Sequence, residues 1–144
     1  MKKYTQGYRL KSHSMKVTQN NVIMYSEASG DKNPIHINQD FASKSMFKET
    51  IAHGMMIGAF LSEFLFSEFG DAWLKKGSID IKFKLPIFMN EDITATSTVS
   101  NIENNMIKLN IAVIKKDGTE AVKGYATVKT VSYTHLTLPT TPYV

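Results

Sequence analysis

His53-Gly54-Met55-Met56-Ile57-Gly58-Ala59-Phe60-Leu61-Ser62-Glu63-Phe64-Leu65-Phe66-Ser67-Glu68-Phe69 is the stretch whose reading decides the fold. Its apolar residues fall nearly all round a helix, with Ser62, Glu63, Ser67 and Glu68 as the main polar interruptions. That distribution predicts a helix buried on most sides rather than an amphipathic surface helix. Glu63 and Glu68 are five residues apart, too far off the helical repeat to make one polar stripe.

On either side of this helix the pattern is that of strands and short helices. Residues 79–83 alternate, Pro86 breaks the alternation, and 92–102, 106–115 and 120–129 follow with a period of two. Asn104-Asn105 and Asp117-Gly118 are hairpin signals between the last three. Upstream, residues 8–17 read as a strand, and Thr18 offers a side-chain cap for a helix running to about Ser29, with Gly30 as its stop. Residues 31–34 must then turn. Asn33 precedes a proline, so Ile35-His36-Ile37 is predicted to leave the turn extended. Asn38 can cap a short helix over 39–46. A sheet with one apolar face and a helix apolar on nearly all sides bury each other best when the sheet wraps the helix. The predicted class is therefore α+β with a hotdog architecture, an antiparallel sheet around a long central helix, in one domain over residues 1–130.

The composition agrees with a single globular domain. At 144 residues the chain can bury one sizeable core, and 42% hydrophobic with 21% charged residues is far from a disordered polyelectrolyte. With no cysteine, disulfide scaffolds, thiolate metal sites and a cysteine nucleophile are excluded. Lys2-Lys3 has no apolar run behind it, and no stretch approaches the roughly 18 apolar residues of a membrane span, so a cytoplasmic protein without a membrane partner is expected. The net charge of +4 comes from scattered lysines, among them Lys75, Lys76, Lys82, Lys84, Lys115 and Lys116. They form either a solvated surface or a basic one that attracts a polyanion such as coenzyme phosphates. No interleaving of aromatic and basic residues suggests nucleic acid.

Residues 131–144 differ from the rest. They contain no Asp, Glu, Lys or Arg yet hold two of the four prolines, and 131–140 resembles the conceptual translation of a sequencing adapter. This tail is expected to be non-native, so His135 carries no functional weight.

Chemistry concentrates at two places. Asp31 and His36 stand five residues apart around a turn braced by Asn33 and Pro34, which can bring a carboxylate and an imidazole to one water for general acid/base work. The same stretch also reads as an Asx-type turn carrying a surface histidine. In Ile51-Ala52-His53-Gly54-Met55-Met56, a glycine opens the longest apolar helix, where backbone N–H groups lack intrahelical partners and an oxygen gaining negative charge could rest. That glycine could equally serve helix–sheet packing, with His53 satisfied by a backbone carbonyl.

Taken together, Tyr25-Ser26-Glu27-Ala28-Ser29-Gly30-Asp31-Lys32-Asn33-Pro34-Ile35-His36, then Phe41-Ala42, then Ile51-Ala52-His53-Gly54-Met55 resembles the MaoC-like dehydratases, which include the (R)-specific enoyl-CoA hydratases. Gly77-Ser78-Ile79 and Phe83-Lys84-Leu85-Pro86-Ile87-Phe88 resemble the family's strand after the central helix, so the likeness spans residues 8–130. The resemblance implies a hotdog homodimer whose two sheets run together, with a pantetheine thioester entering near the subunit contact. It implies a hydro-lyase in which Asp31 and His36 activate the water added to the β-carbon and the Gly54 N–H polarises the thioester carbonyl. Ser62 either supports this site from behind or is a helix-packing hydroxyl. No metal or redox cofactor is implied, since coenzyme A or acyl carrier protein is part of the substrate. Asp31, His36 and His53 could be drawn as a metal triad, but they lack a helical His-x-x-x-His spacing. A hotdog acyl-CoA thioesterase and a non-catalytic acyl-thioester binding subunit remain as alternatives.

Overall fold

The computed structural model describes residues 3–130, and the tail at 131–144 lies outside them. The elements in chain order are β1 (His13–Lys16), α1 (Gln19–Ser29), α2 (Pro34–Ile37), α3 (Gln39–Ser43), α4 (Gly54–Phe69), α5 (Asp71–Lys76), β2 (Gly77–Phe83), β3 (Asp92–Glu103), β4 (Met106–Lys115) and β5 (Glu120–Lys129). The five strands form one sheet in the order β1-β3-β4-β5-β2, every pair antiparallel.

Alternation decides which face of the sheet meets α4. Ile93, Ala95, Ser97 and Val99 of β3, Ile107, Leu109, Ile111 and Val113 of β4, and Val122, Ala126 and Val128 of β5 are buried. All but Ser97 pack in one core with Met56, Ile57, Phe60, Leu61, Phe64 and Leu65 of α4. The residues between them, such as Thr96, Lys108, Asn110 and Lys123, point to the opposite, outer face. The β3–β4 and β4–β5 hairpins turn at Asn104-Asn105, both at positive φ, and at Gly118 with φ 91°. Both turns fall where the sequence signals them.

Four expectations need correction. Residues 35–37 are helical, not extended: Asn33 itself stays at ψ 127°, as its following proline demands, but its side chain then caps Ile35 N and Pro34 occupies the first helical turn. α3 ends at Ser43 instead of Met46, because the Ser43 and Ser45 hydroxyls donate to the carbonyls of Asp40 and Ala42, both at 2.7 Å. The first strand is only His13–Lys16; nearer the N-terminus the chain meets β3 at an isolated bridge, Arg9 opposite Thr98. α5 was not anticipated, since six residues are too few to display a helical period.

A further correction concerns α4, whose buried residues form one stripe within the chain. A second line, with Met55 at 67% and Phe66 at 44% exposure, faces outward. Among the described residues no helix is long and apolar enough to cross a membrane.

The segment after β2 is clamped against the sheet. Lys115 Nζ donates to Pro86 O at 2.7 Å and pairs with Glu91 at 3.0 Å, while Glu91 Oε1 accepts from Phe88 N. Ala52 N donates to Ile87 O at 2.8 Å. These bonds fix residues 84–88 beside the start of α4.

Candidate active site

The loop between α1 and α2 is built by four residues with distinct local tasks. Gly30 closes α1 at φ 81°, its N–H donating to Ser26 O. Asp31 Oδ1 accepts from Asn33 N at 3.3 Å, an Asx turn, and Asn33 Oδ1 accepts from Ile35 N at 3.0 Å. Pro34 then starts α2 with a backbone already at the helical φ. His36 is therefore presented from a helical turn next to Asp31.

Longer-range contacts complete the arrangement. The carbonyl oxygen of Asp31 accepts both from Ser26 Oγ at 2.8 Å and from His53 Nε2 at 3.0 Å. His53, only 1% exposed, stacks on His36 with ring centroids 3.8 Å apart and planes at 25°, and Tyr25 packs on it at 4.8 Å. His36 Nδ1 lies 2.8 Å from Ile51 O. A carbonyl only accepts, so Nδ1 carries the hydrogen, and Nε2 of the neutral ring keeps a lone pair. The backbone of His36 is held as well, since Gln19 Nε2 donates to its carbonyl and Thr50 Oγ1 holds Gln19 Oε1.

One ligand-capable atom from each of Asp31, His36 and His53 lies within 4.8 Å of the other two. This cluster does not fit a shared metal ion. The lone pairs of the two imidazoles lie in their ring planes, and nearly parallel planes 3.8 Å apart do not converge on one centre.

His36 and Gly54 both line a pocket of about 350 Å³, walled by Ile57, Phe83, Leu85 and Ile87. Gly54 is the first residue of α4, which no side chain caps, and the Phe83 ring covers it so closely that a Cβ there would lie 3.2 Å from Cζ. The pocket is predominantly apolar, with His36 and Lys84 as its ionisable lining residues. Asp31 is exposed and does not line it, though a carboxylate oxygen lies within 4.8 Å of a His36 ring nitrogen. Larger concavities occur on the outer face of the sheet, remote from these groups.

Of the residues singled out from the sequence, His36 and Gly54 line one pocket, and Asp31 joins His36 and His53 in the cluster beside it without lining that pocket. Ser62 does not join them: it accepts from Trp73 Nε1 at 2.8 Å, so it is a packing hydroxyl between α4 and α5. Sequence reasoning assigned no role to Ser26, Gln19 or Thr50. Ser26 lies one turn before a glycine helix stop, the one local sign that it could reach the following loop.

Comparison with known proteins agrees with this fold. The family model of the MaoC like domain matches residues 3–123. An (R)-specific enoyl-CoA hydratase from Aeromonas caviae is 32% identical over 114 residues, covering 75% of this chain and 82% of that protein. An (R)-specific enoyl-CoA hydratase from Rhodospirillum rubrum is 31% identical over 86 residues, and the match spans 60% of this chain and 60% of the relative's length. The crystallised (R)-hydratase of A. caviae superimposes with a TM-score of 0.79 at 25% identity, covering 91% of this chain and all of that one. With the sheet, the central helix and the match over residues 3–123 in agreement, the chain is a hotdog protein and belongs to the MaoC-like dehydratase family.

Proposed function

We propose that this chain is a hydro-lyase that interconverts 2-enoyl and (R)-3-hydroxyacyl thioesters, with Asp31 and His36 as its acid/base pair and the Gly54 N–H as the carbonyl-holding group. The observation that carries the reading is the His36 imidazole. Its Nδ1–H is committed to Ile51 O, which leaves Nε2 as a base at the wall of an apolar pocket shared with Gly54. In the hydration direction the thioester oxygen, gaining negative charge, rests against the uncapped start of α4. A water between the Asp31 carboxylate and His36 Nε2 loses a proton to the pair as its oxygen bonds to the β-carbon, and the pair passes that proton on to the α-carbon, which returns both groups to their starting state. Dehydration is the reverse. No metal or redox cofactor enters, and the acyl carrier is part of the substrate.

A homodimer is part of the proposal. Among the described residues β2 is an edge strand whose inward-facing Ile79 and Phe83 are 37% and 50% exposed, and α4 leaves Met55 and Phe66 uncovered. An unpaired edge beside exposed apolar surface favours pairing with a second copy. Sedimentation equilibrium should give twice the mass of the chain, and a monomer at micromolar concentration would count against the dimer.

The activity is tested by following the enoyl absorbance of crotonyl-CoA. Asp31→Asn and His36→Ala should each slow hydration by on the order of 100-fold or more, the scale of losing a positioned acid/base group. Near-wild-type rates in folded variants would remove the assignment, and free thiol release without hydration would point to thioester hydrolysis instead.

A further inference from the structure

We propose that Lys82, Lys84 and Lys123 form a subsite for the nucleotide phosphates of an acyl-coenzyme A, a reading that rests on the hydro-lyase function above. On the outer face of the sheet, Lys82 of β2 stands directly opposite Lys123 of β5 in the antiparallel register. Like charges in that position repel each other across the ladder. Among the described residues one long ion pair is all that relieves them. Among the described residues neither Lys82 nor Lys84 forms an ion pair, and Lys123 has only Glu120 at 3.9 Å. Asp80, the acid in the same groove, lies on the same face two residues before Lys82 but forms no ion pair with any of the three lysines among the described residues. An arrangement that opposes folding slightly becomes favourable once a polyanion occupies it.

Position connects the lysines to the site. They line a concavity of about 390 Å³ together with Asn110 and the half-exposed Tyr125. Lys84 also lines the pocket that holds His36 and Gly54, so the two concavities share a rim. A thioester held at Gly54 whose carrier arm leaves past Lys84 brings its phosphates over the Lys82–Lys123 pair. A groove with its charge gathered at one spot suits a compact polyphosphate better than the broad acidic surface of a carrier protein. Because the lysines are exposed, their attraction must weaken with salt.

The test compares crotonyl-CoA with crotonyl-pantetheine, the same thioester without the nucleotide, using the full chain and its Lys82→Gln/Lys84→Gln/Lys123→Gln variant at low and high salt. The ratio of kcat/KM for the coenzyme A substrate to that for the pantetheine substrate should fall by on the order of tenfold, mainly through KM, and should lose most of its salt dependence. The variant's Tm should not fall, since the substitutions remove a repulsion. An unchanged ratio would overturn the proposal, as would a loss seen only with a crotonyl thioester of an acidic carrier protein. If the wild-type chain hydrates neither substrate, the hydro-lyase reading fails by itself. Calorimetry with coenzyme A then decides the subsite: binding weakened in the variant supports it, and equal binding refutes it.

Discussion

Gly54 answers to two neighbours at once. Its Cα faces the Phe83 ring, and it is both the first residue of α4 and part of the pocket lining. A methyl group added there would meet Phe83 carbons at 3.2 and 3.4 Å. The ring is half exposed at the end of an edge strand and can shift by the few tenths of an ångström required. Gly54→Ala should therefore fold with a Tm close to wild type. If Gly54 N–H holds the thioester oxygen as proposed, the same methyl would crowd its approach to the helix start, and kcat/KM for crotonyl-CoA should drop on the order of 100-fold. Stopped-flow rates alongside a thermal melt would check both halves, and a large fall in Tm with unchanged kinetics would reverse the interpretation. Asp31 shows a comparable division within one residue: its carbonyl and one carboxylate oxygen hold the loop, while the carboxylate as a whole stays exposed beside His36.

Among the elements, the β2–β5 pairing carries the most consequence, because it fixes both Phe83 in the pocket wall and the lysine row outside. At Gly124, opposite Ile81, a Cβ would lie 2.0 Å from the Asp80 carbonyl oxygen and 2.7 Å from Ile81 Cα. Those are backbone atoms that no rotamer change can move. Gly124→Ala should destabilise the protein by about 1–3 kcal/mol and loosen β2 selectively. Hydrogen exchange would check this through faster exchange along residues 77–83 than along β3 and β4. Uniform protection across the sheet would contradict it. Gly77 is constrained in a similar way by Trp73, whose indole in turn holds Ser62, so α5 and the start of β2 lock against α4 as one unit.

For the whole molecule, the N-terminal segment ties itself to the far end of the central helix. The Tyr4 hydroxyl donates to Glu68 Oε2 at 2.7 Å, and its ring packs against Tyr8 and Phe69. Burial and the Glu68 carboxylate push the phenol well above its ordinary value of 10.0. The folded protein thus holds this proton more tightly than the unfolded chain does. The contribution to stability is complete below about pH 10, shrinks as the unfolded phenol ionises above it, and is gone once the folded pKa is passed. Thermal melts from pH 9 to 12 should show Tm falling with pH, and Tyr4→Phe, which keeps the ring contacts, should flatten that fall. An identical slope in the variant would show that Tyr4 does not supply it.

Much of the site's local grammar was legible without a structure. The Gly30 helix stop, the Asx turn at Asp31 and the Asn38 cap act through bonds between near neighbours, so residue identity and spacing determine them. The same holds for the hairpins at Asn104-Asn105 and Gly118 and for the alternation of β3, β4 and β5. The extended reading of residues 35–37 failed because the restriction a proline places on its predecessor says nothing about the residues that follow it. What required the tertiary structure were the contacts between distant parts of the chain. His53 reaches back 22 residues to the Asp31 carbonyl and stacks on His36, and Ile51 O selects the tautomer of that ring. The facing of Lys82 and Lys123 depends on a strand register set by packing of the whole sheet. Periodicity assigns each residue to a face of its own element, but only the packed core decides which faces meet.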